Sequence, residues 1–123
     1  MTPINQTIIK YPIANCLQAC VASYFDLDLN KVPNFMLFGY EIWWEGFFWF
    51  VWSLNYKLLG YIEGLPPIND KYYIASVDFG EKYKFSHAII YKNGKIVHDP
   101  HPDGINENDN IVGYYEIIKR IIK

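Results

Sequence analysis

The sequence predicts an α+β domain, on three observations. Apolar residues in the first half recur at helical spacing, most clearly Leu17, Cys20, Val21 and Tyr24. The second half breaks into short runs rich in β-branched and aromatic residues, bounded by turn signals. Between two of those runs stands Asn93-Gly94, a strong hairpin signal. Helices first and antiparallel strands afterwards is the α+β order. With 123 residues and half of them apolar, the chain is long enough and greasy enough to bury a core, and 1–123 reads as a single domain.

Taken in order, residues 1–14 read as extended or irregular, with prolines at 3 and 12. Asn15 is a favourable N-cap residue, and the spacing predicts a helix over Cys16–Phe25. Leu29 to Pro33 reads as one short helical turn, stopped near the proline. Glu41–Asn55 is a second helix candidate, apolar on nearly every side: Ile42, Trp43, Trp44, Phe47, Phe48, Trp49, Phe50, Val51, Trp52 and Leu54. A helix of that kind is either deeply buried or offers a surface to a partner. Strands are expected at Tyr56–Ile62, Lys71–Asp78, Phe85–Tyr91 and Lys95–Asp99. A last strand is expected at Gly113–Ile117, followed by a short tail.

Composition excludes several classes of function. Eleven basic against 13 acidic residues argue against a general binder of nucleic-acid backbones, which carries a basic excess. The apolar run Ile42–Leu54 is too short to span a bilayer and is interrupted by Glu45 and Gly46, so no membrane association is expected. The first residues have neither a basic start nor an apolar stretch, so no signal peptide is expected. Two cysteines four residues apart are not a disulfide framework, and they read as reduced thiols in a cytoplasm.

The chemistry is carried by Asn15-Cys16, Ser86-His87 and His98-Asp99-Pro100. A cysteine in the first turn of a helix is favoured as a thiolate by unpaired N–H groups and the macrodipole. Cys20 lies one turn deeper and reads as a core thiol. Cysteine is among the most buried residue types, so on position alone both thiols could be core. The histidine shifts the balance. A two-residue turn at Asn93-Gly94 would send Asp99 to the face away from His87. A three-residue turn with Gly94 as a left-handed bulge would set the two directly opposite. The bulged turn is expected, which makes Asp99 the residue that orients the His87 imidazole. The Cys16 N–H is a natural oxyanion donor, and Gln6 is the nearest upstream amide able to add another. His87, His98, Asp99, His101 and a cysteine are enough residues for a metal site, but their spacing fits no standard zinc pattern. Neither a metal nor another cofactor is expected.

These same segments resemble the papain-like cysteine peptidases, in particular small phage and bacterial proteins of that type. The likeness lies in the run from Asn15 to Ser23, in Leu27-Asp28-Leu29-Asn30-Lys31-Val32-Pro33-Asn34-Phe35 and in Tyr73-Ile74-Ala75-Ser76. It continues in Ser86-His87-Ala88-Ile89-Ile90-Tyr91, in His98-Asp99-Pro100-His101-Pro102 and in the upstream Gln6-Thr7. More distantly, the order is similar to the peptidase domains that trim double-glycine leaders in bacteriocin exporters, where an acidic residue stands at the position of Asn15. The resemblance covers most of the chain and is loosest in the aromatic middle. It implies a papain-like α+β fold, with the Cys16 helix packed on an antiparallel sheet carrying His87 and Asp99. It also implies Cys16 as nucleophile, His87 as base, Asp99 as orienter and Gln6 as oxyanion donor. Gln6 lies ten residues before Cys16, further than the papain-type spacing.

Two functions follow as expectations. One is a cysteine hydrolase of peptidase or amidase type, phage-encoded and working in a host cytoplasm, with a peptide or protein substrate or a small molecule. The other is a binding or inhibitor protein on the same scaffold, such as a phage counter-defence factor that traps a host protein or a signalling molecule. Trp43, Trp44, Phe48 and Trp49 are the residues expected to meet a partner or a second copy, with plain core as the alternative for that stretch.

Overall fold

A computed structural model describes residues 1–10, 13–78, 87–103 and 110–121. The protein is α+β: an N-terminal helix, a second helix, and a five-stranded antiparallel sheet. Helix α1 spans Cys16–Tyr24 and α2 spans Trp43–Ser53, with short 3₁₀ turns at Leu29–Lys31 and Phe35–Phe38 between them. The strands are β1 (Tyr56–Glu63), β2 (Tyr72–Asp78), β3 (His87–Lys92), β4 (Lys95–His98) and β5 (Asn110–Lys119). Their order in the sheet is β1-β5-β2-β3-β4, so the last strand is inserted between the first two. Phe85 and Ser86, expected to begin the histidine strand, lie outside the described residues.

Both helices end where the chain enters the left-handed region. Past α1, Asp26 has φ 56°, while Leu27 N–H bonds to Ala22 O at 2.9 Å and Asp26 N–H to Ser23 O at 3.4 Å. That is a Schellman-type close, with aspartate in the place usually given to glycine. Past α2, Asn55 has φ 66°, and its carbonyl receives the Arg120 N–H at 2.9 Å. The Arg120 guanidinium also donates to Trp52 O at 2.7 Å and lies 3.7 Å from the Trp52 ring centre. The end of α2 is thus fastened to the chain just beyond β5.

The sheet is covered on both sides of its middle. On the helical side Leu17, Val21, Phe35, Phe47 and Val51 pack with Ile74, Ala88, Ile90 and Tyr115. Ala75, Val77, Ile89, Tyr91 and Tyr114 form the second cluster. All of β3 from His87 to Tyr91 is buried, which explains why its sequence is an apolar run rather than an alternation.

Two local expectations are corrected. The β3–β4 turn has two residues, not three: Lys92 faces Lys95, and Asn93 (φ 52°) and Gly94 (φ 84°) both take the left-handed conformation of a type I′ turn. The register shift assigned to the turn occurs further along. Tyr91 faces Ile96, but Ile90 faces His98, so Val97 is an extra residue and the strand bulges there. Continued one step, this register sets Asp99 opposite Ile89, on the face shared with His87. Asp99 reaches the expected face, diagonally offset from His87 rather than directly opposite it. The last strand is also longer than expected, ten residues rather than five, because β1 and β2 both pair with it.

The aromatic helix α2 divides by burial. Phe47 and Val51 are fully buried, Trp43, Trp44 and Phe48 are half-buried against the core, and Trp49 is 61% exposed. Truncating Phe47 to alanine should therefore cost about 3–5 kcal/mol, whereas Trp49→Ala should cost under about 1 kcal/mol. Urea denaturation of the two variants checks this, and equal losses would contradict the burial division.

Candidate functional site

The first ten residues form a strap that assembles the site. Ile4 N–H donates to Ser23 Oγ at 2.9 Å, near the end of α1, and His98 Nε2 donates to Ile4 O at 2.7 Å, at the end of β4. Gln6 N–H then donates to Pro100 O at 2.8 Å, one residue past Asp99. Next, Asn15 takes hold of the strap. Its Oδ1 accepts from Thr7 N–H at 2.9 Å and Ile8 N–H at 2.7 Å, and its Nδ2 donates to Thr7 Oγ1 at 3.0 Å and Gln18 Oε1 at 3.1 Å. The strap thus links both ends of α1 to the end of β4.

Asn15 occupies the N-cap position but makes no side-chain cap bond. The position is the expected one, and the side chain does not cap because of competition. A buried amide has a limited set of hydrogen bonds, and here they are used on the strap and on Gln18. A side-chain cap would have engaged the N–H groups beside Cys16; without it they are unclaimed by that residue.

Cys16 is the first residue of α1 and is half-buried. Cys20 is fully buried one turn on, and burial holds its thiol well above its ordinary value, with the charges of Cys16 and Asp99 adding to the effect. His87 opens β3, and its Nε2 lies 2.6 Å from Asp99 Oδ1, with both side chains nearly sealed from water. His101 N–H also donates to Asp99 Oδ1, at 2.9 Å. That Asx-type turn pins the carboxylate, and its signal was available in the sequence as an aspartate two residues before a free amide.

Cys16 also lies near enough to His87 to favour its charged form. Burial alone would disfavour the charged imidazole. The hydrogen bond to Asp99 and the neighbouring Cys16 sulfur, aided by their charges, more than reverse that and raise His87 from 6.5 to about 9. Of the three residues singled out from the sequence, His87 and Asp99 are in direct contact, and Cys16 is near enough to influence the charge on the ring.

Gln6 is buried close by. Its Nε2 donates to Ile8 O at 2.9 Å, the same carbonyl that receives the Asn15 N–H at 3.0 Å, so the amide sits beside the residue preceding Cys16. Its Oε1 is buried without a hydrogen-bond partner. Exchanging the amide's oxygen and nitrogen would face two oxygens at Ile8, so the orientation is set by that contact. The ten-residue separation in sequence is closed by the irregular strap, not by a helix or a strand.

His98 faces away to its bond with Ile4, and no group of three or more His, Cys, Asp or Glu is arranged to hold a metal among the described residues. No helix among them is long and apolar enough to cross a membrane. No protein-family model matches the chain, and no curated protein or solved structure matches it either.

The charge on His87 gives a pH prediction. Its folded-state value lies above the ordinary 6.5, so the stability it contributes is complete below about 6.5 and is lost as pH rises through about 9. An NMR titration of the imidazole should show a midpoint well above 7, and Asp99→Asn should lower it. A midpoint at or below 6.5 in the wild type would contradict the paired arrangement.

Proposed function

We infer that the chain is a cysteine hydrolase of peptidase or amidase type, built on a papain-like scaffold. One observation carries this reading: a buried His87 bonded at 2.6 Å to Asp99 has its charged form favoured by a cysteine at a helix start. A purely structural histidine has no need of both partners, and a charged imidazole beside a half-buried thiol is the arrangement that activates sulfur.

The chemistry proposed from the geometry is acyl transfer. The Cys16 sulfur, as thiolate, attacks the carbonyl carbon of an amide, and the carbonyl oxygen gains negative charge. The Cys16 N–H and the second hydrogen of Gln6 Nε2 are the groups proposed to receive that oxygen. The His87 cation then protonates the departing amine, and the C–N bond breaks to leave a thioester. With Nε2 held by Asp99, Nδ1 is the nitrogen assigned to this proton. Water, deprotonated by the now neutral imidazole, attacks the thioester and releases the acid and the thiol. The unpartnered Gln6 Oε1 supports a ligand contact, since a buried acceptor without a donor is costly unless something supplies one.

A reactivity assay tests the proposal. Iodoacetamide at neutral pH should modify Cys16 at least about tenfold faster than Cys20, and His87→Ala should slow Cys16 by a similar factor. A peptide-amide electrophile such as an acyloxymethyl ketone should add one equivalent to the wild type and none to Cys16→Ala. Equal, sluggish labelling of both thiols, unchanged by the histidine substitution, would overturn the hydrolase reading.

A further inference from the structure

The sheet forks at one end. Strands β2 and β5 are paired as far as Ile74 and Tyr115, and there the ladder stops. Both strands nevertheless go on. β2 reaches back to Tyr72 against β3, and β5 runs on to Lys119 against β1. No described residue pairs with β5 beyond Tyr115 on its β2 side. After Lys119 the chain turns away from the gap, because Arg120 N–H bonds to Asn55 O on the side of β1. A cavity of about 630 Å³ lies in the fork, with Lys71 and Tyr72 on one lip and Ile117 and Lys119 on the other.

The floor of this cavity is a part of the helical-side core that the fold leaves incompletely covered. Tyr24, Phe25, Leu27 and Tyr56 line it, and each is only partly buried. Phe25 joins the rings edge to face, with Tyr24 at 4.8 Å and with Tyr56 at 5.0 Å between centres. The charges of the lining nearly cancel, with Asp26, Asp70 and Glu116 against Lys71 and Lys119. Asp26 is already engaged, accepting from Thr2 Oγ1 at 2.7 Å. The other four form no ion pair among the described residues.

We propose that the fork receives an extended peptide segment, which adds to β5 along Ile117–Lys119 as a short strand. The interrupted ladder chooses this occupant. On the side where β2 has parted from it, β5 offers backbone donors and acceptors in line, and another extended backbone matches them in direction and spacing. Side chains alternate along a strand, so every second residue of the peptide faces the floor. An aromatic or large aliphatic residue there completes the cover over Phe25 and Tyr56. Nearly balanced charge gives no strong pull on an acidic or a basic ligand, so the middle of the segment is uncharged. Cys16 begins α1 and Tyr24 ends it, about 12 Å further along the helix axis. The fork is therefore separate from the proposed hydrolase centre, and its occupancy does not depend on that chemistry.

Amide hydrogen exchange followed by NMR tests this, on the Cys16→Ala chain so that no cleavage consumes the probe. The probe is the capped peptide acetyl-Ser-Thr-Phe-Thr-Phe-Thr-Ser-amide at millimolar concentration. Those amides of Ile117–Lys119 that are not bonded to β1 should exchange at least about tenfold more slowly with peptide present. The amides of β4, at the far margin of the sheet, should be unaffected. Two further probes carry N-methyl groups, one on both phenylalanines and one on the threonines. One of them should lose the protection and the other keep it, because alternate N–H groups of a strand face opposite sides. An equal response to both would show a merely sticky surface. Protection that grows with protein concentration and needs no peptide would show a second copy in the fork. Either result overturns the proposal, and so does an unprotected Ile117–Lys119 with the unmethylated probe.

Discussion

A hydrogen bond of 2.6 Å between His87 and Asp99, kept out of water, is the constraint on which the arrangement around Cys16 depends. Removing a carboxylate from water is expensive, and the cost is recovered only if its lone pairs are met. Asp99 Oδ1 receives both the imidazole and the His101 N–H, which fixes the carboxylate in position as well as solvating it. The same pairing fixes the orientation of the ring. Without the acid, burial would drive His87 toward its neutral form, and the proposed proton donor would be lost at neutral pH.

That interaction rests on two segments with little regular structure. The bulge at Val97 puts Asp99 on the face shared with His87. The N-terminal strap then closes over the strand end, with Ile4 bonded to Ser23 and His98, Gln6 to Pro100, and Thr7 to Asn15. Asn15 is central here because it is a buried amide with its hydrogen bonds met by the strap and Gln18. An Asn15→Ala change would leave two strap N–H groups without their acceptor, which is more damaging than losing an ordinary cap. The core beneath supplies the rigidity: Leu17, Cys20 and Val21 anchor α1 through its inward face, while the half-exposed Cys16 remains at the rim.

Much of this was legible from residue types and spacing. Helix α1 and its buried stripe followed from Leu17, Cys20 and Val21 at helical spacing, and the hairpin followed from Asn93-Gly94. The histidine and the acid were found because few other residues in the chain carry chemistry. What was not legible is instructive. The turn type was misassigned because Lys92-Asn93-Gly94-Lys95 is compatible with both a two-residue and a three-residue loop, and nothing local reveals a bulge three residues downstream at Val97. The correct face for Asp99 was thus reached for the wrong reason. The role of Asn15 was hidden because N-cap statistics describe a residue's preference, while its actual partners, Thr7 and Ile8, arrive through an irregular segment with no pattern. The length of β5 depends on two strands flanking it, which is a property of the sheet and not of its own sequence.

The two thiols show how finely position alone can divide chemistry. They occupy the same helix, one turn apart. Cys20 faces a sealed core where ionisation is opposed by burial. Cys16 sits where backbone donors are uncapped by a side chain and a cationic ring stands alongside. Moving the thiol by a single turn exchanges a packing residue for a candidate nucleophile, so neither cysteine can substitute for the other. In the proposed hydrolase the helix start, not the cysteine as such, carries the chemistry, and the strap that keeps Asn15 from capping it is as much a part of the proposed site as the sulfur.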